Sequence, residues 1–209
     1  MGEPLVIVDY GVGNLRSAQK AFEHLGQPAL VTSDAERIAR APAVVLPGQG
    51  AFATCMENLT GAGLVEPVLA AVRSGRPFLG ICVGMQLLFD ESEESPGVRG
   101  LGVFRGKVVR FPRHSGLKVP HMGWNGLKIR RRVAALADVA DGDFVYFVHS
   151  FYPEPLDPDV VATTTDYGVE FVSSVGRDNV YAGVFHPEKS QHVGLKLLGG
   201  FVKMLRGRA

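Results

Sequence analysis

The stretch Gly80-Ile81-Cys82-Val83-Gly84-Met85-Gln86 lies between two apolar runs, at residues 77–79 and 87–89. The first run predicts a short buried strand, and the second predicts the start of a helix. A cysteine with glycines two residues before and two residues after it, between a strand and a helix, is the cysteine form of the nucleophile elbow. The glycines leave room for a sharp turn, and a helix N-terminus favours the thiolate of Cys82. A buried cysteine in a glycine-rich turn is the alternative interpretation.

The composition excludes several classes of protein. Of the 209 residues 46% are hydrophobic and 21% are charged, which predicts a folded chain with a large core. The net charge is +1 and the basic residues are scattered, so no nucleic-acid surface is expected. We also expect no membrane span and no signal peptide, because no apolar run approaches ~20 residues and the first residues carry no basic segment. The two cysteines, Cys55 and Cys82, make no disulfide framework, which favours a cytoplasmic protein.

The first half of the chain predicts strands that alternate with helices. Buried strands are expected at residues 5–8, 29–31, 43–46 and 77–79. Helical spacing of apolar residues is found at 15–25, 52–59 and 65–72, and a short helix is expected after a cap at Ser33 or Asp34. This alternation predicts a parallel sheet that is covered by helices on both faces.

The second half predicts antiparallel additions to this sheet. Residues 91–100 are acidic and turn-rich and indicate a surface loop, and residues 119–125 are also expected to form a loop. Short strand-like runs lie at residues 103–104, 108–109, 127–129, 144–148, 160–164, 170–175 and 180–185. A helix over residues 195–205 closes the chain. Without repeats or linkers, one α/β domain over residues 1–209 is expected, with a mostly parallel central sheet, flanking helices and antiparallel additions.

Two glycine-containing loops follow predicted strands. Pro47-Gly48-Gln49-Gly50 is either a plain strand exit or a loop that presents backbone N–H groups to an anion, since glycine permits a positive φ. Asp9-Tyr10-Gly11-Val12-Gly13-Asn14 begins like a dinucleotide-binding fingerprint. Arg16 stands where that fingerprint requires its third glycine, so dinucleotide binding is rejected.

His186 is the best placed of the six histidines to act as a base for Cys82. It follows a predicted strand, and the carboxyl edge of the sheet is where open α/β folds keep their sites. Glu188, two residues later, can point the same way in an extended segment and hold the imidazole tautomer. A rim histidine paired with a surface glutamate is the alternative, and His149, which also ends a strand, is a rival base. No group of cysteine, histidine and acidic residues has the spacing of a metal site.

Together these motifs resemble those of class I glutamine amidotransferases. The cysteine elbow, the Pro47-Gly48-Gln49-Gly50 loop and His186-Pro187-Glu188 occur in the order found in that family and spread over most of the chain. Three further stretches are similar to the glutaminase subunits of imidazole glycerol phosphate synthases, which belong to histidine biosynthesis. These stretches are Asp9-Tyr10-Gly11-Val12-Gly13-Asn14, Val119-Pro120-His121-Met122-Gly123-Trp124-Asn125 and His149-Ser150-Phe151-Tyr152.

The resemblance implies a glutaminase without a cofactor, in which Cys82, His186 and Glu188 form the catalytic triad. The implied oxyanion hole consists of the N–H groups of Val83 and Gln49. The implied glutamine pocket consists of Gly50, Gln86, His149 and Ser150. The implied partner is a (βα)₈-barrel cyclase subunit in a heterodimer, which would use the ammonia to make imidazole glycerol phosphate and AICAR phosphate. The implied partner face contains Asn14, Trp124, Tyr146 and Lys189, although by chemistry alone a tryptophan beside glycine and asparagine is more often a packing residue.

Two positions depart from the commonest pattern of that family. Gln49 replaces a frequent valine, but it would act through its backbone N–H, so its side chain should matter little. Phe151 replaces a frequent tyrosine and receives no polar role. Two alternatives stay open: a glutaminase of anthranilate or GMP synthesis, against which His121-Met122-Gly123-Trp124-Asn125 argues, and a non-catalytic scaffold, against which the intact triad argues.

Overall fold

The computed structural model describes residues 3–112 and 117–207. Residues 1–2, 113–116 and 208–209 lie outside this part. We expect a single domain over residues 1–209 and a chain start without a signal peptide. Both expectations include residues outside the described part, so both stay predictions. None of the helices within the described ranges is long and apolar enough to cross a lipid bilayer.

The described chain alternates strands and helices in its first half and is mainly strand in its second half. The strands are β1 Leu5–Val8, β2 Ala29–Thr32, β3 Val44–Leu46, β4 Phe78–Ile81, β5 Glu91–Ser92, β6 Gly106–Arg110, β7 His121–Gly126, β8 Lys128–Ile129, β9 Phe144–His149, β10 Phe151–Pro155, β11 Val161–Asp166, β12 Glu170–Arg177 and β13 Val180–Gly183. The α-helices are α1 Leu15–His24, α2 Ala35–Arg40, α3 Phe52–Gly61, α4 Val65–Arg73, α5 Val83–Gln86 and α6 Gln191–Arg206. Short 3₁₀ turns cover Ala134–Leu136, Pro158–Val160 and Pro187–Lys189.

The central sheet has eight strands in the order β2-β1-β3-β4-β13-β12-β11-β8. The first five are parallel neighbours, and the last three join as antiparallel strands. Every residue of β1, β3, β4 and β13 is buried, as strands covered on both faces require. The expected α/β fold, with a mostly parallel sheet and antiparallel additions, is confirmed.

Helices cover both faces of the sheet. The chain crosses from β1 to β2 in one direction and from β2 to β3 in the other, so right-handed crossovers place α1 and α2 on opposite faces. On one face α1 packs against α6, where the ring centroids of Phe22 and Phe201 lie 6.1 Å apart. On the other face α2 contacts α4. The expected cap of α2 is Asp34, whose carboxylate accepts hydrogen bonds from two N–H groups of the first turn.

Two apolar runs form different structures from those that the sequence pattern predicts. Residues 87–89 do not begin a helix, since α5 ends at Gln86. The carbonyl groups of residues 87–89 accept hydrogen bonds from N–H groups of residues 101–104, so they are not available to continue the helix. Residues 103–104 do not form a strand. Phe104 is instead a core residue, buried against Phe89 with ring centroids 5.8 Å apart.

The segments expected to be loops contain strands. His121–Gly126 is β7, which pairs antiparallel with β9 in a separate two-stranded sheet. Its polar side chains, His121 and Asn125, lie on the more buried face, and the apolar side chains Met122 and Trp124 lie on the exposed face. This alternation is the reverse of the usual one for a half-buried strand, so the sequence pattern does not reveal the strand. In the segment expected to be a surface loop, β5 pairs with β6, which also pairs with β10 in a third sheet.

Candidate active site

Cys82 lies in a sharp turn between β4 and α5. Its φ of 55° and ψ of −117° place it in a backbone region that residues with a side chain rarely adopt. The Cys82 N–H donates a 2.9 Å hydrogen bond to the Gly183 carbonyl, which ties the turn to the end of β13. A Cβ at Gly80 would lie 2.9 Å from the Cβ of Ala182, too close for a side chain. The sharp turn predicted from the glycine spacing is present.

The loop after β3 packs directly on the first turn of α5. A Cβ at Gly84 would collide with the backbone of this loop, and a Cβ at Gly48 would lie 2.8 Å from the Cβ of Val83. Only glycine permits this contact at either position. The contact sets Gly48, the residue before Gln49, against the backbone of Val83, and both Gln49 and Val83 line one cavity. The first N–H groups of a helix have no carbonyl partner within the helix, which leaves them available to an anion.

His186 lies beyond β13, the parallel neighbour of β4, so it stands at the same sheet edge as Cys82. Its Nδ1 lies 2.8 Å from Oε1 of Glu188, and 6% and 3% of the two side chains are exposed. An extended segment is expected here from the sequence, and that expectation is wrong. Pro187–Lys189 forms a 3₁₀ turn, and this turn brings the Glu188 carboxylate back to the imidazole.

One backbone hydrogen bond and a buried hydroxyl hold the His186 segment against β9. The His186 N–H donates to the Tyr146 carbonyl at 3.0 Å. The Ser190 hydroxyl donates to the His186 carbonyl at 2.6 Å and accepts from the Tyr146 N–H at 2.9 Å. Sequence reasoning missed Ser190, because one serine at the start of a helix is an ordinary capping signal.

The charges around His186 favour its protonated form. Burial by itself would lower the pKa of the imidazole, but the Cys82 and Glu188 side chains raise that pKa to about 10. Within the described residues its Nε2 has no hydrogen-bond partner. The free Nε2 is therefore the atom that can exchange a proton with a group in the cavity.

His149 cannot serve as the rival base. Its Nδ1 donates to the Phe151 carbonyl at 2.9 Å, and its Nε2 lies 3.1 Å from Nδ1 of His121. The His121 Nε2 in turn lies 3.4 Å from Nδ2 of Asn125, so both nitrogens of each ring are engaged. Burial lowers the pKa of His149 to about 3 and that of His121 to about 4. Both rings are therefore neutral structural groups near neutral pH.

A cavity of about 280 Å³ opens between these elements. Its lining consists of Gln49, Gly50, Cys82, Val83, Gln86, Glu94, Pro120, Val148, His149, Ser150, Phe151, His186 and Lys189. The cavity thus brings together the residues expected for catalysis, the oxyanion hole and glutamine binding, apart from Glu188, which contacts His186. Of the residues expected at the partner face, Lys189 lines the cavity, whereas Asn14, Trp124 and Tyr146 do not. No group of three or more histidine, cysteine or acidic residues that could hold a metal ion occurs within 3–112 and 117–207.

Glu94 is a cavity residue that sequence reasoning missed. Its Oε2 accepts a 2.8 Å hydrogen bond from the Phe52 N–H at the start of α3. The segment around it was interpreted as an acidic surface loop, and among several neighbouring carboxylates no spacing singles out this one. The capping contact turns its side chain inward, and only the tertiary structure reveals that contact.

One face of the β7–β9 pair is apolar and exposed. Trp124 lies directly opposite Tyr146, with ring centroids 6.0 Å apart. Met122, Trp124 and Phe144 are 62%, 45% and 56% exposed. Trp124 is therefore not a buried packing residue, and its place at a partner face stays a prediction. Asn14 lies elsewhere on the rim, immediately before α1 in the loop that contacts Pro47 through Gly13.

Known proteins similar to this chain agree in family. A family model described as glutamine amidotransferase class-I matches residues 6–203. A protein of Geobacter metallireducens named imidazole glycerol phosphate synthase subunit HisH is 55% identical, over 94% of this chain and 96% of that protein. A protein of the same name from Aquifex aeolicus is 51% identical over 94% of each chain. A crystal structure of a glutamine amidotransferase has the same fold, with a TM-score of 0.74 at 21% identity over 97% of this chain and 99% of that chain. The chain belongs to the class I glutamine amidotransferase family and, within it, to the HisH subunits of imidazole glycerol phosphate synthase.

Proposed function

We propose that this chain hydrolyses glutamine to glutamate and ammonia in the Cys82 cavity and passes the ammonia to a cyclase subunit of histidine biosynthesis. The observation that carries the proposal is the convergence of the Cys82 turn and the buried His186–Glu188 pair on one cavity. A nucleophile, a proton-transferring base and an orienting carboxylate are the groups that acyl transfer requires.

In the first half of the reaction the Cys82 thiolate attacks the side-chain amide carbon of glutamine. The carbonyl electrons move to oxygen, and the N–H groups of Val83 and Gln49 donate to the resulting oxyanion. One such donor is typically worth ~10²–10³ in rate. His186 gives the proton on Nε2 to the amide nitrogen, ammonia leaves and a glutamyl thioester remains.

In the second half His186 is neutral and accepts a proton from water. The hydroxide attacks the thioester carbon, and the same two N–H groups stabilise the second oxyanion. The intermediate collapses to glutamate and the Cys82 thiolate. Throughout, Glu188 keeps Nδ1 of the imidazole protonated and oriented, as its 2.8 Å contact permits.

The polar groups of the cavity match a free amino acid. Gly50, Gln86, His149 and Ser150 surround the side chain and main chain of the substrate. The Glu94 carboxylate, which also lines the cavity, suits the α-ammonium group of glutamine. The positive charge of the α-ammonium group would therefore complement the negative charge of the Glu94 carboxylate.

The exposed apolar face formed by Met122, Trp124, Phe144 and Tyr146 suits the partner subunit. Aromatic and methionine side chains that remain exposed on a strand pair are typical of a protein interface. Val148 of the same strand lines the cavity, so this face lies beside the place where ammonia forms. By the family resemblance the partner is a (βα)₈-barrel cyclase, and the complex works in the cytoplasm.

Covalent trapping tests the nucleophile. A glutamine-like electrophile should label Cys82 and spare Cys55, because Cys82 lines the cavity whereas Cys55 is fully buried and burial raises the pKa of its thiol. Mass spectrometry of peptides from the labelled chain locates the adduct. Labelling of Cys55 before Cys82 would overturn the assignment.

A further inference from the structure

Two side chains outside the triad hold the loop that carries the Gln49 N–H. The Tyr10 hydroxyl donates a 2.6 Å hydrogen bond to the Pro47 carbonyl oxygen. The Cys55 thiol donates to the Gln49 carbonyl oxygen, with 3.4 Å between sulfur and oxygen. Both residues are buried, with 4% of Tyr10 and 0% of Cys55 exposed.

The two hydrogen bonds lie on either side of the Gly48–Gln49 peptide group. The Pro47 carbonyl belongs to the peptide before Gly48, and the Gln49 carbonyl belongs to the peptide before Gly50. Between them lies the Gly48–Gln49 peptide, whose N–H is the oxyanion donor of the proposed mechanism. The two hydrogen bonds fix the places where this peptide begins and ends, and so its distance from Val83. The peptide itself can still turn about the bonds to the Gly48 and Gln49 Cα atoms, so the anchors keep the donor in reach of the oxyanion without preventing that turn.

We propose that Tyr10 and Cys55 are positioning residues for the oxyanion hole, which hold the peptides on both sides of the Gln49 N–H. The inference rests on the proposed function, because it takes this N–H as an oxyanion donor. Neither side chain touches the reacting atoms. Each acts on catalysis through a carbonyl group of the loop.

The chemistry of both groups suits this role. Burial raises the pKa of the Tyr10 hydroxyl, and the nearby Cys55 adds to that rise. Burial likewise raises the pKa of the Cys55 thiol. Both groups therefore keep their protons near neutral pH and remain hydrogen-bond donors.

The two anchors come from different elements, which gives the loop a rigid support. Tyr10 follows β1, and Cys55 lies in the first turns of α3. The start of α3 is held by Glu94 and Ser95, which accept hydrogen bonds from its first two N–H groups at 2.8 and 3.2 Å. Helix α3 therefore contacts both the loop, through Cys55, and the cavity residue Glu94, through the Phe52 N–H.

The test separates oxyanion stabilisation from general damage to the site. Tyr10→Phe and Cys55→Ala each remove one donor, whereas Cys55→Ser keeps a donor at the same place. Tyr181→Phe is the matched control, since Tyr181 is equally buried but lines a separate cavity. Each variant is assayed as the full chain with its cyclase subunit, for glutamine hydrolysis and for alkylation of Cys82 by iodoacetamide. Alkylation uses the same thiolate but forms no oxyanion.

We expect kcat for glutamine to fall ~10-fold in each donor-removing variant and ~10²-fold in the double variant, approaching the loss of one oxyanion donor. KM, the alkylation rate and the ammonia-dependent cyclase rate should stay unchanged, and Cys55→Ser should recover most of the kcat. An unchanged kcat, or a parallel fall in the alkylation rate, would overturn the inference while the proposed function stands. A wild-type complex without glutaminase activity would instead overturn the proposed function, and this inference with it.

Discussion

Cys82 combines a strained backbone with a buried histidine, His186, across the same cavity. A residue held at positive φ costs about 1–3 kcal/mol, which the surrounding packing must offset. Here the hydrogen bond to the Gly183 carbonyl and the close contacts at Gly80 and Gly84 hold the turn. The strained turn places Cys82 in the lining of the cavity that His186 also lines.

The contact between His186 and Glu188 leads to a prediction for Glu188→Gln. Glutamine still accepts a hydrogen bond from Nδ1, so this variant should lose less activity than His186→Ala, which removes an acid–base group worth ~10²–10⁴. Because the carboxylate helps to raise the pKa of His186, its removal should also move the basic limb of the glutaminase pH profile to lower pH. Measuring kcat for the wild type and both variants from about pH 6 to about pH 10 checks both expectations. Equal losses, or an unmoved basic limb, would count against the orienting role.

At the scale of elements, the β7–β9 pair has two different faces. The buried face carries a chain of hydrogen bonds from Asn125 through His121 and His149 to the Phe151 carbonyl. The rings of Phe111, Phe147 and Phe171 surround the histidines. The exposed face is apolar. One strand pair thus supports the cavity wall on one side and offers a partner surface on the other.

The two neutral histidines should make the fold sensitive to acid. Histidines of an unfolded chain titrate near 6.5, whereas burial lowers the pKa of His121 to about 4 and that of His149 to about 3. Below about pH 6.5 the unfolded chain binds more protons, so the stability that these rings contribute is lost as the pH falls toward 4. His186, with its raised pKa, contributes in the opposite sense. Its stabilisation is complete below 6.5 and is lost only as the pH rises toward about 10.

Urea unfolding checks this expectation. The free energy of unfolding should decrease between about pH 7 and pH 5, and His121→Gln should reduce that slope by up to one proton, or ~1.4 kcal/mol per pH unit. His24→Gln is the control, since His24 is exposed on α1. The same slope in His121→Gln and wild type would show that this ring does not resist protonation.

The strands whose burial follows from local composition could be predicted from the sequence, and their ends shift by only one or two residues. The elements that depend on distant partners could not. β7 is a strand because β9 pairs with it, and residues 87–89 leave the helix because residues 101–104 take their carbonyl groups. Glu94 and Ser190 enter the site through contacts across 42 and 44 residues, which no local spacing encodes.

At the scale of the whole molecule, the parallel sheet brings distant motifs to one edge. Residues that follow β3, β4 and β13 all line the cavity because the carboxyl ends of neighbouring parallel strands meet there. The relatives at 51–55% identity are named HisH, which disfavours the alternative of anthranilate or GMP synthesis. An assembled cavity around Cys82 and His186 disfavours a purely structural scaffold.

Coupling to the partner leads to a prediction about rate. Glycines flank Gln49, so the peptide that carries its N–H can turn at small cost, and the loop can hold a resting and an active arrangement. We expect the isolated chain to be a poor glutaminase and the partner with a bound cyclase ligand to activate it. One recovered oxyanion donor accounts for ~10²–10³ in rate, and a larger activation would require other groups to move.

The coupling is checked by measuring the glutaminase rate under three conditions. These are the chain alone, the chain with its partner, and the chain with its partner and a bound cyclase ligand. The highest rate should belong to the liganded complex. Equal rates in all three states would mean that the site is preformed and that the loop is no switch.

The role of Cys82 as the glutaminase nucleophile is tested by comparing two nitrogen sources in a Cys82→Ala complex. We expect glutamine-dependent synthesis of imidazole glycerol phosphate to be abolished, because glutamine can no longer form a thioester. Synthesis from added ammonia should continue at the wild-type rate, because Cys82 serves only the glutaminase step. Loss of the ammonia-dependent rate in a folded complex, or survival of the glutamine-dependent rate, would show that Cys82 is not the nucleophile of a separate glutaminase step.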